Sequence, residues 1–346
     1  MSASPNDSRT KPEGGATAAT LTEEEASRYD RQMRLWGIEA QQRMRNATIL
    51  VVRLRGVATE AIKNMVLAGI GKLIILDGEE VSEQDLGAGF FFRDEDVGKK
   101  RLDVAKPRIE SLNPLVTVET IARRVPADSP EFETIIQNVD LVCVTDEARD
   151  TLIGINNLCR KYGKPFYSGG TYGIFGYIFC DLLDHEYLVP DRSVSKDQPK
   201  TVKATVKYAP LQVALTHKWS GLTRKQTKAL NPGLAFSILA LWQFQSAHNN
   251  ILPSNPEQAT VLETIANELI SSTDVNKQVL SKVPQNLVET LATTAEHEFS
   301  PVCAILGGML GQDILKALGG REPPIANFFV FDGNTGSGTV CRMSMA

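Results

Sequence analysis

Residues 48–69 read TILVVRLRGVATEAIKNMVLAG. The first part, Thr48–Val52, is a run of apolar, mostly β-branched residues, as expected for a buried strand. From Thr59 to Leu67 the apolar residues recur at helical spacing. A glycine-containing turn, Val52–Thr59, joins the two, and a strand that enters a helix through such a turn is the usual cradle for a dinucleotide or ATP. The stretch therefore predicts the first βα unit of an α/β domain.

Strand and helix patterns keep alternating downstream of this unit. Three apolar runs predict strands, at Leu73–Asp77, Val116–Ala122 and Asp140–Thr145. Two longer stretches predict helices, at Lys99–Leu112 and Glu147–Tyr162. Alternation of this kind predicts βαβ units with right-handed crossovers and a mainly parallel sheet.

The pattern changes after residue 165. Residues 165–190 hold short β-type runs broken by glycines with no helix between them, which predicts antiparallel strands that extend the sheet of residues 21–190. Residues 191–209 are mostly polar and predict a crossover linker. Residues 210–297 are mostly helical in pattern and predict an insertion domain.

The closing segment, residues 298–346, is predicted to return to the sheet domain. It begins with a helix rich in small residues, VCAILGGMLGQDILKAL, and ends with a strand, Asn327–Asp332. Glycines allow two backbones to approach closely, so close packing of this helix in the core is predicted at Gly307, Gly308 and Gly311.

The N-terminal helix is predicted from its signals at both ends. Residues 22–25 have the capping-box pattern, and Gly37 is a plausible stop. An apolar stripe on one face is formed by Tyr29, Met33 and Trp36. Arg31 lies about two hundred degrees round the helix from Tyr29, so its side chain is predicted to point away from the buried face.

Composition limits the class of protein. The chain has 346 residues, 42% of them hydrophobic, which is enough for an α/β core and a smaller unit. Residues 1–20 have almost no large apolar side chains and predict a disordered tail. The net charge of -4, from 37 basic and 41 acidic residues, argues against nucleic acid or membrane lipid as a partner. No apolar run approaches the roughly 18 residues that span a bilayer.

The cysteines and histidines predict neither disulfides nor a metal site. The first residues lack a secretory signal, and the five cysteines never form CxxC, so free thiols in a reducing compartment are predicted. They are Cys143, Cys159, Cys180, Cys303 and Cys341. Cys180 lies in an apolar strand pattern and is predicted to be buried and inert. The four histidines share no metal-type spacing.

The turn and the helix after it resemble the ThiF/MoeB superfamily, the adenylating domains of ubiquitin-like activators. Active members carry V-G-x-G-G-x-G followed by E-x-x-K-N. The second half of this motif is matched by Glu60, Lys63 and Asn64. Side chains that are predicted to fill the phosphate space replace the three spaced glycines: Arg53, Arg55 and Ala58.

Other ligand positions of the superfamily are altered as well. The Asp that binds ribose is kept as Asp77, but the Asn, Asn, Arg and Gln after it are replaced by Glu83, Asp85, Leu86 and Gly87. Arg101 replaces the phosphate-directed Lys, and the acid that helps hold magnesium corresponds to Asp146 or Glu147. The resemblance implies a degenerate nucleotide site at Arg53, Arg55, Gly56, Ala58 and Asp77.

Three further stretches resemble the smaller subunits of SUMO activators: residues 28–37 (RYDRQMRLWG), 299–304 (FSPVCA) and 328–333 (FFVFDG). The resemblance implies a Rossmann-like ThiF/MoeB domain, with a helical insertion, that pairs with a larger, cysteine-bearing subunit. That subunit would hold ATP and magnesium, adenylate the C-terminal Gly of SUMO and accept it as a thioester. The SUMO-conjugating enzyme would be an indirect partner.

The same resemblance has implications for this chain alone. Arg31, within the RYDRQ segment, is implied to be a catalytic residue that acts in trans on the ATP of the partner. No cofactor or metal is expected in this chain, and its expected location is the nucleus and the cytoplasm.

Several alternatives stay open at this point. The chain is also compatible with the non-catalytic subunit of another ubiquitin-like activator, or with an active homodimeric MoeB-like enzyme. An NAD(P)-dependent oxidoreductase would need glycines that the first turn lacks. A further alternative is a scaffold protein with no role at any active site, and only Arg31 argues against it.

Overall fold

The computed structural model describes residues 21–190 and 201–345, in which there are twelve α-helices and ten strands. The predicted tail, residues 1–20, and the first half of the predicted linker, residues 191–200, lie outside the described residues. The helices are α1 (Glu23–Trp36), α2 (Ile38–Asn46), α3 (Gly56–Ala68), α4 (Arg101–Leu112), α5 (Pro130–Gln137), α6 (Arg149–Lys161), α7 (Leu211–Ala214), α8 (Arg224–Ala229), α9 (Pro232–Ala247), α10 (Glu257–Ser272), α11 (Gln285–Thr294) and α12 (Ser300–Gly319). The strands are β1 (Thr48–Val52), β2 (Lys72–Leu76), β3 (Thr117–Ile121), β4 (Leu141–Thr145), β5 (Phe166–Tyr172), β6 (Phe175–Asp181), β7 (Asp184–Pro190), β8 (Thr201–Lys207), β9 (Phe328–Asp332) and β10 (Ser337–Cys341).

Eight strands form one sheet in the order β10-β9-β6-β5-β4-β1-β2-β3. Five neighbouring strands are parallel to one another, in the sheet order β5-β4-β1-β2-β3. The strands β6, β9 and β10 add antiparallel neighbours at the other end. The mainly parallel sheet with an antiparallel extension is therefore confirmed, and so is the Rossmann-like alternation that the first half of the sequence predicts.

The strand order places a switch point beside β1. The chain runs from β1 outward to β2 and β3, then returns across the sheet to β4 on the other side of β1. The carboxyl ends of β1 and β4 therefore lie next to each other while their following helices diverge. In open α/β sheets, ligands bind in the crevice at such a point.

Alternate residues of the strands enter two separate cores, because successive side chains point to opposite faces. Ile49 and Val51 of β1 join a core with α2, α3, α4 and α12. Leu50 joins the opposite core, which contains α5, α6 and most helices between residues 211 and 294. There Trp242 of α9 donates from Nε1 to the Tyr172 hydroxyl of β5 at 2.7 Å. The predicted insertion is helical, and it forms a layer packed on the sheet.

The linker prediction is wrong for residues 201–207. This stretch, TVKATVK, forms β8 and pairs with β7 in a separate two-stranded ribbon. The alternation of apolar residues with lysines suits a strand exposed on one face, although the surrounding polar composition suggests a loop. Within residues 165–190, only β5 and β6 extend the main sheet.

The prediction that no apolar stretch approaches the length that spans a bilayer is wrong for helix α12, which is long and apolar enough by length and composition alone. In the structure it packs against α2, α3 and strands β5 and β6, as the core helix of a globular domain does. Its apolar character is therefore accounted for by burial in the fold.

Candidate functional site

A cleft of about 1480 Å³ opens at the carboxyl ends of β1, β2 and β4. Among the predicted site residues, Arg53, Arg55 and Asp77 line it. Gly56 and Ala58 lie on the first turn of α3 and are buried. Arg31 lies on α1 and does not line the cleft. The structure thus brings the residues of the implied degenerate site together and places Arg31 elsewhere.

Arg53 bridges the switch point. Its backbone has φ +67°, a left-handed conformation that glycine adopts most readily. Its guanidinium Nη1 donates to the carbonyl oxygen of Asp146 at 2.6 Å and lies 3.3 Å from Glu147 Oε1. The Thr145 hydroxyl donates to the Arg53 carbonyl oxygen at 2.9 Å. The turn after β1 is therefore tied to the turn after β4 across the crevice where a ligand would enter.

Glu298 closes the first turn of α3. Its Oε1 accepts a hydrogen bond from the Gly56 amide at 3.0 Å, and its Oε2 lies 3.4 Å from Arg55 Nε. The Glu298 side chain is only 4% exposed. The amino end of a helix is where phosphates bind in nucleotide sites. Here the chain places its own carboxylate at that end.

Sequence reasoning missed Glu298, which follows Gly56 by 242 positions in the chain. Nothing in the local pattern AEHEFSPVC distinguishes it from an exposed acid. Only its position immediately before the first turn of α12, in a segment that the fold returns to the sheet, hints at a role.

The other charged positions are satisfied internally. The Asp77 carboxylate accepts from the Leu54 and Glu79 amides, each at 2.7 Å. Arg101 Nη2 donates to both carboxylate oxygens of Asp85, at 3.0 and 2.9 Å. Arg101 Nη1 also lies 3.5 Å from Asp77 Oδ2, and all three side chains are buried. Arg101 is therefore shared between two buried acids, Asp77 and Asp85.

Seven Asp and Glu side chains line the cleft, against four basic ones. The basic side chains are the two arginines of the turn, Arg124 and Lys161. Burial raises the pKa of Asp146. Burial, assisted by the nearby charge of Asp146, raises the pKa of Glu298 to about 7. A triphosphate would bring further negative charge to a site whose turn arginines are already paired.

The helix that carries Arg31 forms as its sequence predicts. Thr22 and Glu25 make the capping box, and Gly37 ends the helix. Tyr29 is buried, and its hydroxyl accepts from Asn113 Nδ2 at 2.8 Å, which anchors the helix to the domain. Arg31 is exposed, so the predicted orientation is confirmed.

The acids near Arg31 have other partners. Glu24 lies 3.7 Å from Arg28, and Asp30 lies 2.9 Å from Arg34. Within residues 21–190 and 201–345, Arg31 has no ion pair. Its guanidinium is therefore available to an anion from outside the chain.

All five cysteines are buried and free. Burial raises the pKa of Cys143 to about 12, and burial also raises the pKa of Cys180 in β6 well above its ordinary value. Thiols in such surroundings are poor nucleophiles. Over the part of the chain that the structure describes, no group of three or more His, Cys, Asp or Glu side chains is arranged to hold a metal ion.

The model of the ThiF family matches residues 29–346, which is most of the chain and includes the cleft. The chain belongs to the ThiF family. As a member, it keeps the family's strand-turn-helix unit at β1 and α3, while its own side chains fill the turn.

Comparison with individual ThiF relatives is consistent with this assignment. The chain is 35% identical over 345 residues to SUMO-activating enzyme subunit 1 of Xenopus tropicalis, covering 93% of this chain and 96% of the relative. It is 34% identical over 340 residues to SUMO-activating enzyme subunit 1 of Homo sapiens, with 92% and 95% covered. These relatives confirm the sequence-based resemblance to the smaller SUMO-activator subunits.

Solved structures support the ThiF fold. A crystal structure of selenomethionine PaaA aligns with a TM-score of 0.58 at 16% identity, covering 96% of this chain and 78% of that chain. Escherichia coli MccB with succinimide aligns with a TM-score of 0.55 at 14% identity, covering 91% and 71%. At this identity the similarity concerns the fold alone.

Proposed function

We propose that this chain is the smaller, non-catalytic subunit of a SUMO-activating heterodimer. The carrying observation is that the chain keeps the ThiF fold while its own residues, Glu298 above all, occupy the nucleotide turn. A protein of this family with a closed site needs a partner that supplies the active one. The names of the most similar relatives, SUMO-activating enzyme subunit 1, support SUMO as the modifier.

In this proposal the larger subunit holds ATP and magnesium and bears the acceptor cysteine. A carboxylate is a poor electrophile, so the C-terminal carboxylate of SUMO first attacks the α-phosphorus of ATP and displaces pyrophosphate. The partner's thiolate then attacks the acyl adenylate and displaces AMP, which leaves SUMO as a thioester. The SUMO-conjugating enzyme would receive it afterwards, without chemistry in this chain.

Arg31 is the residue of this chain that we place at the partner's ATP. A guanidinium with no ion pair of its own can stabilise charge that develops on the phosphates during attack. A preorganised donor in such a role typically contributes about 3 to 4 kcal/mol to the transition state. The burial of Tyr29 on the opposite side of α1 holds the helix so that Arg31 faces outward.

The surface around Arg31 supports a protein partner. Leu35 follows Arg31 by one helical turn, so the two side chains share a face of α1. Leu35 is 83% exposed, the largest value among the large apolar side chains of the described residues. The Leu67 side chain of α3 is also exposed. Gln32 Nε2 donates a 3.4 Å hydrogen bond to the Leu67 carbonyl oxygen, which connects α1 to α3. Apolar side chains beside an arginine are typical of protein interfaces.

The test is adenylation by the reconstituted heterodimer. Arg31→Ala should lower the rate of ATP–pyrophosphate exchange by about a hundredfold or more, with the heterodimer still intact by size-exclusion chromatography. The matched control is Arg28→Ala, which removes an arginine of the same helix that is paired with Glu24. A rate for Arg31→Ala within a few-fold of Arg28→Ala would refute the role of Arg31.

A separate measurement addresses the nucleotide site of this chain. Titration of the isolated chain with ATP and magnesium in a calorimeter should give no saturable heat, because the turn is filled and the cleft is acidic. Stoichiometric binding would favour the alternative of an active homodimeric enzyme. A location in the nucleus and cytoplasm is also proposed, and imaging of the tagged full-length chain would test it.

A further inference from the structure

The first turn of α3 holds an acidic side chain that belongs to the chain itself. We propose that the Glu298 carboxyl group is an internal ligand of this turn, taking the place of a nucleotide phosphate and excluding other anions. The inference concerns this chain alone and does not depend on the identity of its partner.

The first support is the lack of any other acceptor at this helix end. The N-cap residue of α3, Arg55, makes no side-chain capping hydrogen bond. The Gly56 amide would be unpaired without Glu298 Oε1, and an unpaired amide in a buried turn is costly. The partial positive charge of a 13-residue helix also favours an anion here.

The second support is the position of the Arg55 side chain. Its Nε lies 3.4 Å from Glu298 Oε2, close enough for an ion pair although the atoms are not well directed for a hydrogen bond. Glu298 is the only ion-pair partner of Arg55 among residues 21–190 and 201–345. The helix end and the guanidinium thus act on one carboxylate, as they would act on the oxygens of a phosphate.

The third support is the tight packing beside Gly56. A Cβ built on Gly56 would lie 2.9 Å from Cys303 Sγ, 3.0 Å from Ala88 Cβ and 3.1 Å from Glu298 Oε1. The space beside the Gly56 Cα is therefore filled, and the Glu298 carboxyl group is one of the groups that fill it. Removal of this carboxyl group would leave a space lined by an amide donor and a guanidinium.

The backbone next to Glu298 also anchors the return of the chain from the helical layer. The neighbouring residue, His297, accepts through its carbonyl oxygen from the Gly173 amide at 3.0 Å. Residues 297 and 298 thus attach the start of α12 to the hairpin of β5 and β6 and to the turn after β1. The backbone that leads into Glu298 is therefore fixed by the β5–β6 hairpin.

The experiment is an anion rescue with the full-length chain. Glu298→Ala should lower the Tm, and inorganic phosphate should restore it with a saturating dose dependence, by about 5 °C or more relative to sodium chloride of equal ionic strength. The matched control is Glu296→Ala, which removes an exposed acid two residues away. Wild type and the control should respond equally to phosphate and chloride.

Two outcomes would overturn the proposal. One is a phosphate response of Glu298→Ala no larger than that of Glu296→Ala, and the other is a specific phosphate response of the wild type. If Glu298→Ala does not fold, Glu298→Ser decides the matter, because the shorter side chain keeps a polar atom and still leaves room for phosphate. Phosphate should raise its Tm over chloride more than it raises that of Glu296→Ser, and equal responses would contradict the proposal.

Discussion

Two adjacent glycines of α12 are expected to respond in opposite ways to the same substitution. A Cβ on Gly307 would lie 2.6 Å from the carbonyl oxygen of Val57 and 3.0 Å from the amide nitrogen of Ala61, both on α3. A Cβ on Gly308 would have no neighbour within 4 Å. The prediction of close packing is thus confirmed at Gly307 and wrong at Gly308, which faces away from α3.

The magnitude follows from two contributions. Replacing a helical glycine by alanine favours the helix by about 1 kcal/mol, and this gain applies to both positions. At Gly307 the new methyl group meets backbone atoms that cannot rotate away, and overpacking of this kind costs about 1 to 3 kcal/mol or more. Gly308→Ala should therefore raise the free energy of unfolding by about 0.5 to 1 kcal/mol. Gly307→Ala should lower it, by up to about 2 kcal/mol or more.

The assay is urea denaturation of the isolated chain, followed by circular dichroism and tryptophan fluorescence, with thermal unfolding as a second measurement. The isolated chain is used so that contacts of Gly308 with a partner do not enter. Gly307→Ala with a stability equal to or above that of wild type would refute the packing argument. So would equal effects at the two positions, because helix propensity alone would then account for both.

Two further predictions concern buried ionisable groups. Asp313 accepts from the Tyr167 hydroxyl at 2.7 Å, and burial raises its pKa from 3.8 to about 6. Its protonated form stabilises the fold below about pH 4, and this contribution is lost as the pH rises through 6. In urea titrations, the free energy of unfolding of Asp313→Asn should therefore rise relative to that of wild type by about 2 to 3 kcal/mol between pH 4 and 7. A stability difference that does not change with pH would contradict this. The five cysteines are buried, so a chromogenic thiol reagent should titrate almost none of them in the native chain and all five in guanidinium. A thiol-sensitive SUMO adduct on this chain would show that the assignment of the acceptor cysteine to the partner is wrong.

Sequence alone determined the elements whose patterns are local. The β-branched run Thr48–Val52 is β1 with the same bounds, and the capping box at residues 22–25 begins α1 as predicted. The orientation of Arg31 followed from the helical period, since 3.6 residues per turn fixes which side chains share a face. The altered glycine turn was also readable, because only glycine suits a backbone that approaches a phosphate.

Tertiary structure decided whatever depends on contacts between distant parts of the chain. TVKATVK contains residues that favour a strand, but its partner β7 and the separate ribbon that they form are set by pairing between two segments, which the composition of one segment does not show. Gly307 and Gly308 have the same local pattern, and the position of α3 separates them. Glu298 reaches Gly56 across 242 positions, and it became the ligand of the turn because the fold brings the start of α12 to the end of β1, a proximity that no periodicity or motif encodes.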